Sequence, residues 1–397
     1  MAITPFTKSQ LLPQEEKLEV ARHKSELFIG IPKEISYQER RICLTPDAVN
    51  SLTSHGHRVM VESGAGLSSS YTDKEYSDAG AEITSDTKKV LSCPFLLKVE
   101  PLTIEEIEMI QPKTIVISAI QLKTRKAAYF EALKKKKITA LAFEYIKDED
   151  GSYPAVKSLS EIAGTASILI ASELMINNQF GKGLLLGNIT GVPPTDVVIL
   201  GAGTVGEFAA KTALGLGATV KVFDNSITKL RRLQNNLNQR IFTSTIHQKS
   251  LLKAIRRCDV AIGAMRGKDR CPVVVTETMV EHMKKGAVIV DVSIDTGGCF
   301  ETSEVTTHKK PTYIKNNVIH YCVPNIPSRY SKTASLSLSN IITPFLLQIA
   351  EDGGLESAIR CNKGLKNGVY LYHGILTNKT IGEWFNLPDR DINLIVF

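Results

Sequence analysis

The chain has 397 residues, 43% of them hydrophobic and 22% charged, the balance of an ordinary soluble globular protein of two or three domains. A chain this long buries a large core, so it needs neither disulfides nor a metal to fold. Its net charge of +7 is mild and its basic residues are scattered; the one dense run, Lys134 to Lys137, reads as a solvated helix end, which argues against a nucleic-acid partner.

The cysteines stand at 43, 93, 258, 271, 299, 322 and 361. Their number is odd and no pair has C-x-x-C spacing, which points to a reducing compartment and away from a zinc site. The early stretch "LLPQEEKLEVARHK" is charged and reads as a surface arm rather than a signal peptide. No apolar run looks long enough to cross a bilayer. The expected location is the cytoplasm, with no membrane partner.

In chain order, short β-like runs alternate with helical patterns. The first strands are expected at "LFIGIP" (27–32), "RVMVES" (58–63), "FLLKV" (95–99), "TIVISAI" (114–120) and "ITALAF" (138–143). Helices are expected between them, at Pro46–His55 and Thr124–Lys136. The polar cluster "KDEDGSYP" (147–154) reads as a boundary. "SEIAGTASILIASELMIN" (160–177) follows, apolar nearly all round and so a buried helix.

A second series begins near Val197 with "VVIL", "TVKVF", "DVAIGA" (259–264), "AVIVDVS" (287–293) and "VIHYCV" (318–323). Continuous Val/Ile runs suggest parallel strands covered on both faces. The last stretch, "ASLSLSNIITPFLLQIAEDGG" and a polar tail, shows no strand series of its own and is expected to pack back on the first part. The fold class is therefore α/β, with two Rossmann-like doubly wound parallel-sheet domains and a cleft between them. The expected division is 1–154 and 332–397 for a discontinuous substrate domain, and 155–331 for a nucleotide domain.

Gly201, Gly203 and Gly206 form G-x-G-x-x-G after a strand and at the opening of a helix, the context this motif needs to hold a dinucleotide. The first glycine allows the tight turn, the second lets the pyrophosphate approach the backbone, and the third lets helix and strand pack closely. The helix N-terminus then offers free N–H groups to the phosphates. Asp224 ends the next strand, 21 positions after Gly203. A carboxylate there binds a ribose 2′-hydroxyl and repels a 2′-phosphate, so NAD is favoured over NADP.

The flanking residues are more specific. "GNITGVPPTDVVILGAGTVG", "VDVSIDTGGCFETSEVTTHKKPTY", "HYCVPNIP", "GIPKEISYQERRICLTPDAV" and "LLKVEP" resemble the alanine dehydrogenase family, whose wider group includes the alpha subunit of pyridine nucleotide transhydrogenase. The resemblance covers roughly residues 27 to 375. "IDTGGCFETS" is closer to the dehydrogenases, and "RRCDVAIGAMRGKDRCP" has nothing of the transhydrogenase loop.

The resemblance implies oxidation of L-alanine with NAD to pyruvate, ammonium and NADH, in a cleft between two domains of a homo-oligomer, a hexamer or a dimer. Arg41 falls on the family's carboxylate-binding arginine, and a guanidinium fork suits a carboxylate. Arg40 beside it reads as a solvated neighbour. Lys98 falls on the substrate lysine, at the end of an apolar strand where its head would be partly desolvated. The segment "KVEP" is one residue shorter than in many relatives, which would move that loop. Asp295 falls on the catalytic aspartate, at the carboxyl end of a nucleotide-sheet strand. Asn325 and Ser160 fall on cofactor-side positions. Asn325 would meet the nicotinamide ribose or the substrate, and Ser160 serves equally well as the N-cap of the buried helix.

One departure stands out. Gln121, in "IQL", occupies the place of the family's catalytic histidine. A glutamine amide donates a hydrogen bond to a carbonyl but exchanges no proton near neutral pH. Losing a general acid–base costs about 10²–10⁴ in rate. Three readings follow: Lys98 carries the protons while Gln121 orients the substrate, the substrate is another amino acid, or an NAD-binding chain has reduced activity. A transhydrogenase-like subunit is the alternative from the wider family. His308 and His320 read as satisfied structural histidines, and Cys299 as a small packing residue in its loop.

Overall fold

The computed structural model describes residues 24–36, 38–177, 180–267 and 270–396. Most of the charged arm at 11–24 lies outside them. Among the described residues, fifteen strands fall into two sheets. The first takes β1 (Phe28–Ile31), β2 (Arg58–Glu62), β3 (Glu82–Thr84), β4 (Phe95–Leu97), β5 (Ile115–Ser118) and β6 (Thr139–Ala142). The second takes β7 (Asp196–Leu200), β8 (Thr219–Phe223), β9 (Phe242–Ser244), β10 (Val260–Gly263), β11 (Val288–Asp291), β12 (Thr312–Lys315) and β13 (Val318–Tyr321). The chain then returns to the first sheet with β14 (Val369–Tyr372) and β15 (Ile375–Leu376).

The strand orders are β15-β14-β6-β5-β4-β1-β2-β3 and β12-β13-β11-β10-β7-β8-β9. Setting aside the antiparallel strands β12, β14 and β15, both sheets are parallel and share one doubly wound order. The order reverses between β1 and β4 in one sheet and between β7 and β10 in the other. Loops on either side of such a reversal diverge and open a crevice at the carboxyl ends of the strands. β6, β10, β11 and β13 are buried along their whole length, as continuous apolar runs require when helices cover both faces.

Two long helices join the halves. Pro154–Met175 begins six residues earlier than the sequence pattern suggests, because Pro154 sets the first helical turn. Ser160 therefore lies inside the helix; the N-cap position is Tyr153, and the N-cap reading of Ser160 is corrected. Ser331–Glu351 packs against it. The segment 326–351 has the length and hydropathy of a membrane span, against the sequence reading that no run does, but half of it is buried inside the protein. Its buried Leu338, Ile342, Leu346 and Ile349 belong to the core of the first sheet. The C-terminal part forms no sheet of its own among the described residues and packs back on the first part, to which it adds two strands: β14 and β15 extend the first sheet beyond β6.

Candidate active site

At the second sheet's reversal the glycine turn runs from β7 into helix Thr204–Gly215. Gly201 has φ +112°, and a Cβ there would stand 2.4 Å from the carbonyl oxygen of Ala264. A Cβ on Gly206 would stand 1.9 Å from the carbonyl oxygen of Gly201. Gly203, by contrast, faces open space: a Cβ there would meet no atom within 4 Å. That is a cradle for a pyrophosphate, closed beneath and open above. Asp224 follows β8 and is buried. Its Oδ2 accepts from Ala202 N–H at 2.8 Å and its Oδ1 from Ser226 N–H at 2.7 Å. These bonds fix the carboxylate beside the glycine turn, and each oxygen keeps a lone pair for a ribose hydroxyl. The residues present fit a dinucleotide.

Arg41 lies in the loop after β1 and is only 6% exposed. Its Nε and Nη2 donate to Glu39 Oε1 and Oε2 at 2.7 and 2.6 Å. Burial alone would raise the Glu39 carboxyl; the guanidinium overrides it and holds Glu39 below the usual carboxylate value. Of the five guanidinium N–H groups, three remain for another carboxylate.

Glu39 also reaches the second sheet. Its Oε2 accepts from Asn325 Nδ2 at 2.9 Å, and the Asn325 backbone N–H donates to Asp295 Oδ1 at 3.3 Å. Asn325 follows β13 with φ 58°, a left-handed turn that asparagine tolerates. Asp295 sits in the 3-10 turn after β11. Arg41, Glu39, Asn325 and Asp295 thus form one chain of polar contacts across the crevice. The surroundings of Asp295 push its pKa up to about 6: burial raises it, and the Asn325 N–H and Arg41 oppose the rise. Part of the residue stays exposed to solvent, and excluding that water would strengthen the push.

Lys98 follows β4 and is 2% exposed. Its Nζ lies 2.8 Å from both oxygens of Glu106 and 4.0 Å from Glu34 Oε2. Glu106 is also held by a capping box, since its Oε2 accepts from Thr103 N–H at 2.7 Å while its own N–H donates to Thr103 Oγ1. Burial raises the Glu34 carboxyl well above its ordinary value despite Lys98. Arg41 is paired with Glu39 and Lys98 with Glu106, as buried charged side chains require. Lys98 would have to leave Glu106 to meet a substrate.

Gln121 follows β5 in the left-handed region, φ 47°. Its backbone N–H and that of Ile120 donate to Glu144 Oε1 and Oε2 at 3.3 and 3.2 Å. The structure therefore brings Arg41, Asn325 and Asp295 together, sets Lys98 beside Glu34 and Glu106, and puts Gln121 at the neighbouring strand end. Ser160 lies on the connecting helix.

Sequence reasoning missed Glu34, Glu39, Glu106 and Glu144. The capping box Thr103-x-x-Glu106 was readable as a helix start, though not as a lysine's partner. His320 is fully buried in β13, where its Nε2 meets Thr302 Oγ1 at 2.8 Å and its ring stacks on Tyr313 at 4.9 Å. Burial lowers its pKa to about 4. Cys299 is buried beneath the Asp295 turn, its Sγ 3.8 Å from Asp291 Oδ1.

Two family models match: alanine dehydrogenase/PNT, N-terminal domain, over residues 30–163, and alanine dehydrogenase/PNT, C-terminal domain, over 167–379. The chain belongs to the alanine dehydrogenase/PNT family. Among curated members, it is 37% identical over 361 residues to the alanine dehydrogenase of Staphylococcus haemolyticus, covering 90% of this chain and 96% of that one. It is 38% identical over 365 residues to that of Methanococcus maripaludis, covering 91% and 97%. A solved L-alanine dehydrogenase superposes with a TM-score of 0.85 at 33% identity over 91% of this chain and 99% of its own. A transhydrogenase from Sinorhizobium meliloti shares the fold, with a TM-score of 0.75 at 24% identity over 89% of this chain and 99% of its own. The family places this chain among NAD-dependent oxidoreductases with two Rossmann-like domains.

Proposed function

We propose that this chain catalyses the reversible NAD-dependent oxidative deamination of L-alanine to pyruvate and ammonium. The observation that carries the reading is the chain Arg41–Glu39–Asn325–Asp295. It sets a carboxylate-binding fork and a carboxyl of near-neutral pKa on opposite lips of one crevice, beside a dinucleotide cradle. Such spacing suits a small amino acid whose carboxylate and amine must be held apart and oriented.

NAD would lie on Gly201, Gly203 and Gly206 with Asp224 at its ribose, Asn325 and Ser160 serving as further cofactor-side positions. When bound it supplies the acceptor for the hydride that leaves the alanine Cα. Arg41 clamps the substrate carboxylate with the N–H groups that Glu39 leaves free. Asp295 takes up the amine proton and holds the attacking water. Gln121 orients the substrate by hydrogen bonding. Lys98 offsets negative charge from beside Glu34, a smaller part than direct proton transfer, because its ammonium is committed to Glu106.

We assign residues 1–154 and 332–397 to the substrate half, and 155–331 to the NAD half. The assembly is a homo-oligomer. Ile176, Phe180, Leu185, Ile189 and Val192 are all more than half exposed within one short segment, and apolar surface gathered in this way marks an interaction site. A second copy of this chain covers it. Seven unpaired thiols suit the reducing cytoplasm.

The test follows NADH absorbance with pyruvate and ammonium, beside larger 2-oxo acids. Robust turnover with pyruvate is expected, and Arg41→Ala should raise the pyruvate KM far more than the Kd for NADH. NADH binding without turnover of pyruvate would refute the assignment.

A further inference from the structure

Imine hydrolysis moves protons to and from the attacking water, and Asp295 approaches that water only from the second sheet. The strand ends of the first sheet carry several ionisable groups, and most are already spoken for. Glu39 is locked on Arg41, and Lys98 on Glu106. Glu34 is held with its Oε1 on the Val99 N–H at 2.6 Å. Gln121 has no proton to exchange.

Glu144 differs. It stands just beyond β6, beside the end of β5, and is half-buried. Among the described residues its oxygens meet two long backbone bonds, from Ile120 and Gln121, and no cation within ion-pair distance. Those two N–H groups aim the carboxyl without neutralising it. It lies two residues past the carboxyl end of β6, the end at which the strand loops of this sheet open the crevice; Arg41 of the first sheet and Arg266 of the loop after β10 act on it through space, and Tyr129, Tyr145 and Tyr370 are its other titratable neighbours. From the position of Glu144, resting on the proposed alanine oxidation, we infer that its carboxyl is the proton carrier for the water of imine hydrolysis, taking the part that Gln121 cannot. Burial lifts this carboxyl above its ordinary value, the direction a general acid–base needs for work near neutral pH.

Water attacks the iminium carbon, the C–O bond forms, the C=N π pair moves onto nitrogen, and the water's first proton passes to the Glu144 carboxylate. That proton is returned to the nitrogen. The C–N pair then leaves with ammonia as the C=O bond forms, and the hydroxyl proton passes to Glu144. No oxidant is consumed here, because the redox step has already taken place at Cα.

The experiment compares full-length wild type, Glu144→Gln, Glu144→Asp, Glu100→Gln and the double variant Glu144→Gln/Gln121→His. Readouts are the pH profile of alanine oxidation and the Kd for NADH by fluorescence. Glu100 is the comparator because it is half-buried and its carboxyl is also raised, by burial first and then by Glu39. Glu144→Gln should lower kcat about 10²–10⁴-fold while NADH binding stays near wild type. Its acid limb should lose one of the two ionisations, that of Asp295 remaining. Glu144→Asp should keep part of the rate, and adding Gln121→His should restore part of it. A Glu144→Gln enzyme with the wild-type rate and limb overturns the inference, as does loss of the limb in Glu100→Gln instead. A wild type that binds NADH but oxidises no alanine overturns the parent reading, and the inference with it.

Discussion

Replacing Glu39 with glutamine would show how the carboxylate clamp is held in place. The side chain keeps its shape but loses its charge. One amide oxygen can still accept from Arg41, while the NH2 group meets the other guanidinium nitrogen donor to donor. Arg41 then keeps a buried charge with no full partner. Breaking one side of a buried pair costs about 3–5 kcal/mol, in line with losing one or two charge-assisted bonds at about 1.5–3 kcal/mol each. Because Glu39 is held below its unfolded-state pKa by Arg41, its stabilisation is present above the ordinary carboxylate range and lost as pH falls through the lowered value. Urea melts at pH 7 should therefore show the variant weaker by about that amount, with less further loss on acidification than wild type. Pyruvate would supply the missing anion, so saturating pyruvate with NADH should restore more stability to the variant than to wild type. Equal urea midpoints at pH 7, with equal ligand responses, would refute the account of Arg41 as a charge balanced by Glu39.

Asp295→Asn should abolish the ionisation near pH 6 in alanine oxidation. The carboxyl is raised in the folded state, so its ionised form is a liability as pH climbs through about 6; the variant should melt above wild type at pH 8 and level with it at pH 4. An unchanged pH profile would remove Asp295 from the proton path. Asp224→Ser should weaken NADH by about 10-fold or more, as expected for losing a charged hydrogen-bond acceptor, and narrow the gap to NADPH in fluorescence titrations; an undiminished preference for NADH would count against the ribose assignment. Leu185→Glu with Ile189→Lys should lower the mass in sedimentation equilibrium without lowering helix content. A wild type that already sediments as a monomer would rule out the covered face.

The parallel strands were legible because buried β runs have little choice of residue: "VVIL" and "AVIVD" admit few other readings. β3 and β9 were not, since three-residue strands such as Glu82-Ile-Thr84 sit at sheet edges and need only one neighbour. β14 was missed because "VYLY" pairs with β6, more than two hundred residues earlier, a contact no local pattern announces. Arg41, Asp295 and Asn325 could be singled out from their surrounding motifs, and polar contacts link them in the structure. Glu39, Glu34 and Glu144 were not, because a carboxylate in a loop looks the same whether it meets water or a buried guanidinium. The start of the long helix was misjudged because hydrophobic periodicity begins only after the two turns that Pro154 initiates.

The late return of the chain to its first sheet has a cost during synthesis. β6 emerges with one edge bare, and its partner β14 lies beyond the whole second sheet. At about 5–20 residues per second, the 226 residues from Phe143 to Gly368 take roughly 11–45 s to make. For that interval the ribosome carries six of the sheet's eight strands, and the exposed hydrogen-bonding edge is a template for any neighbouring strand. The nascent protein stays vulnerable until the segment that carries β14 has been made, and that segment acts as the seal.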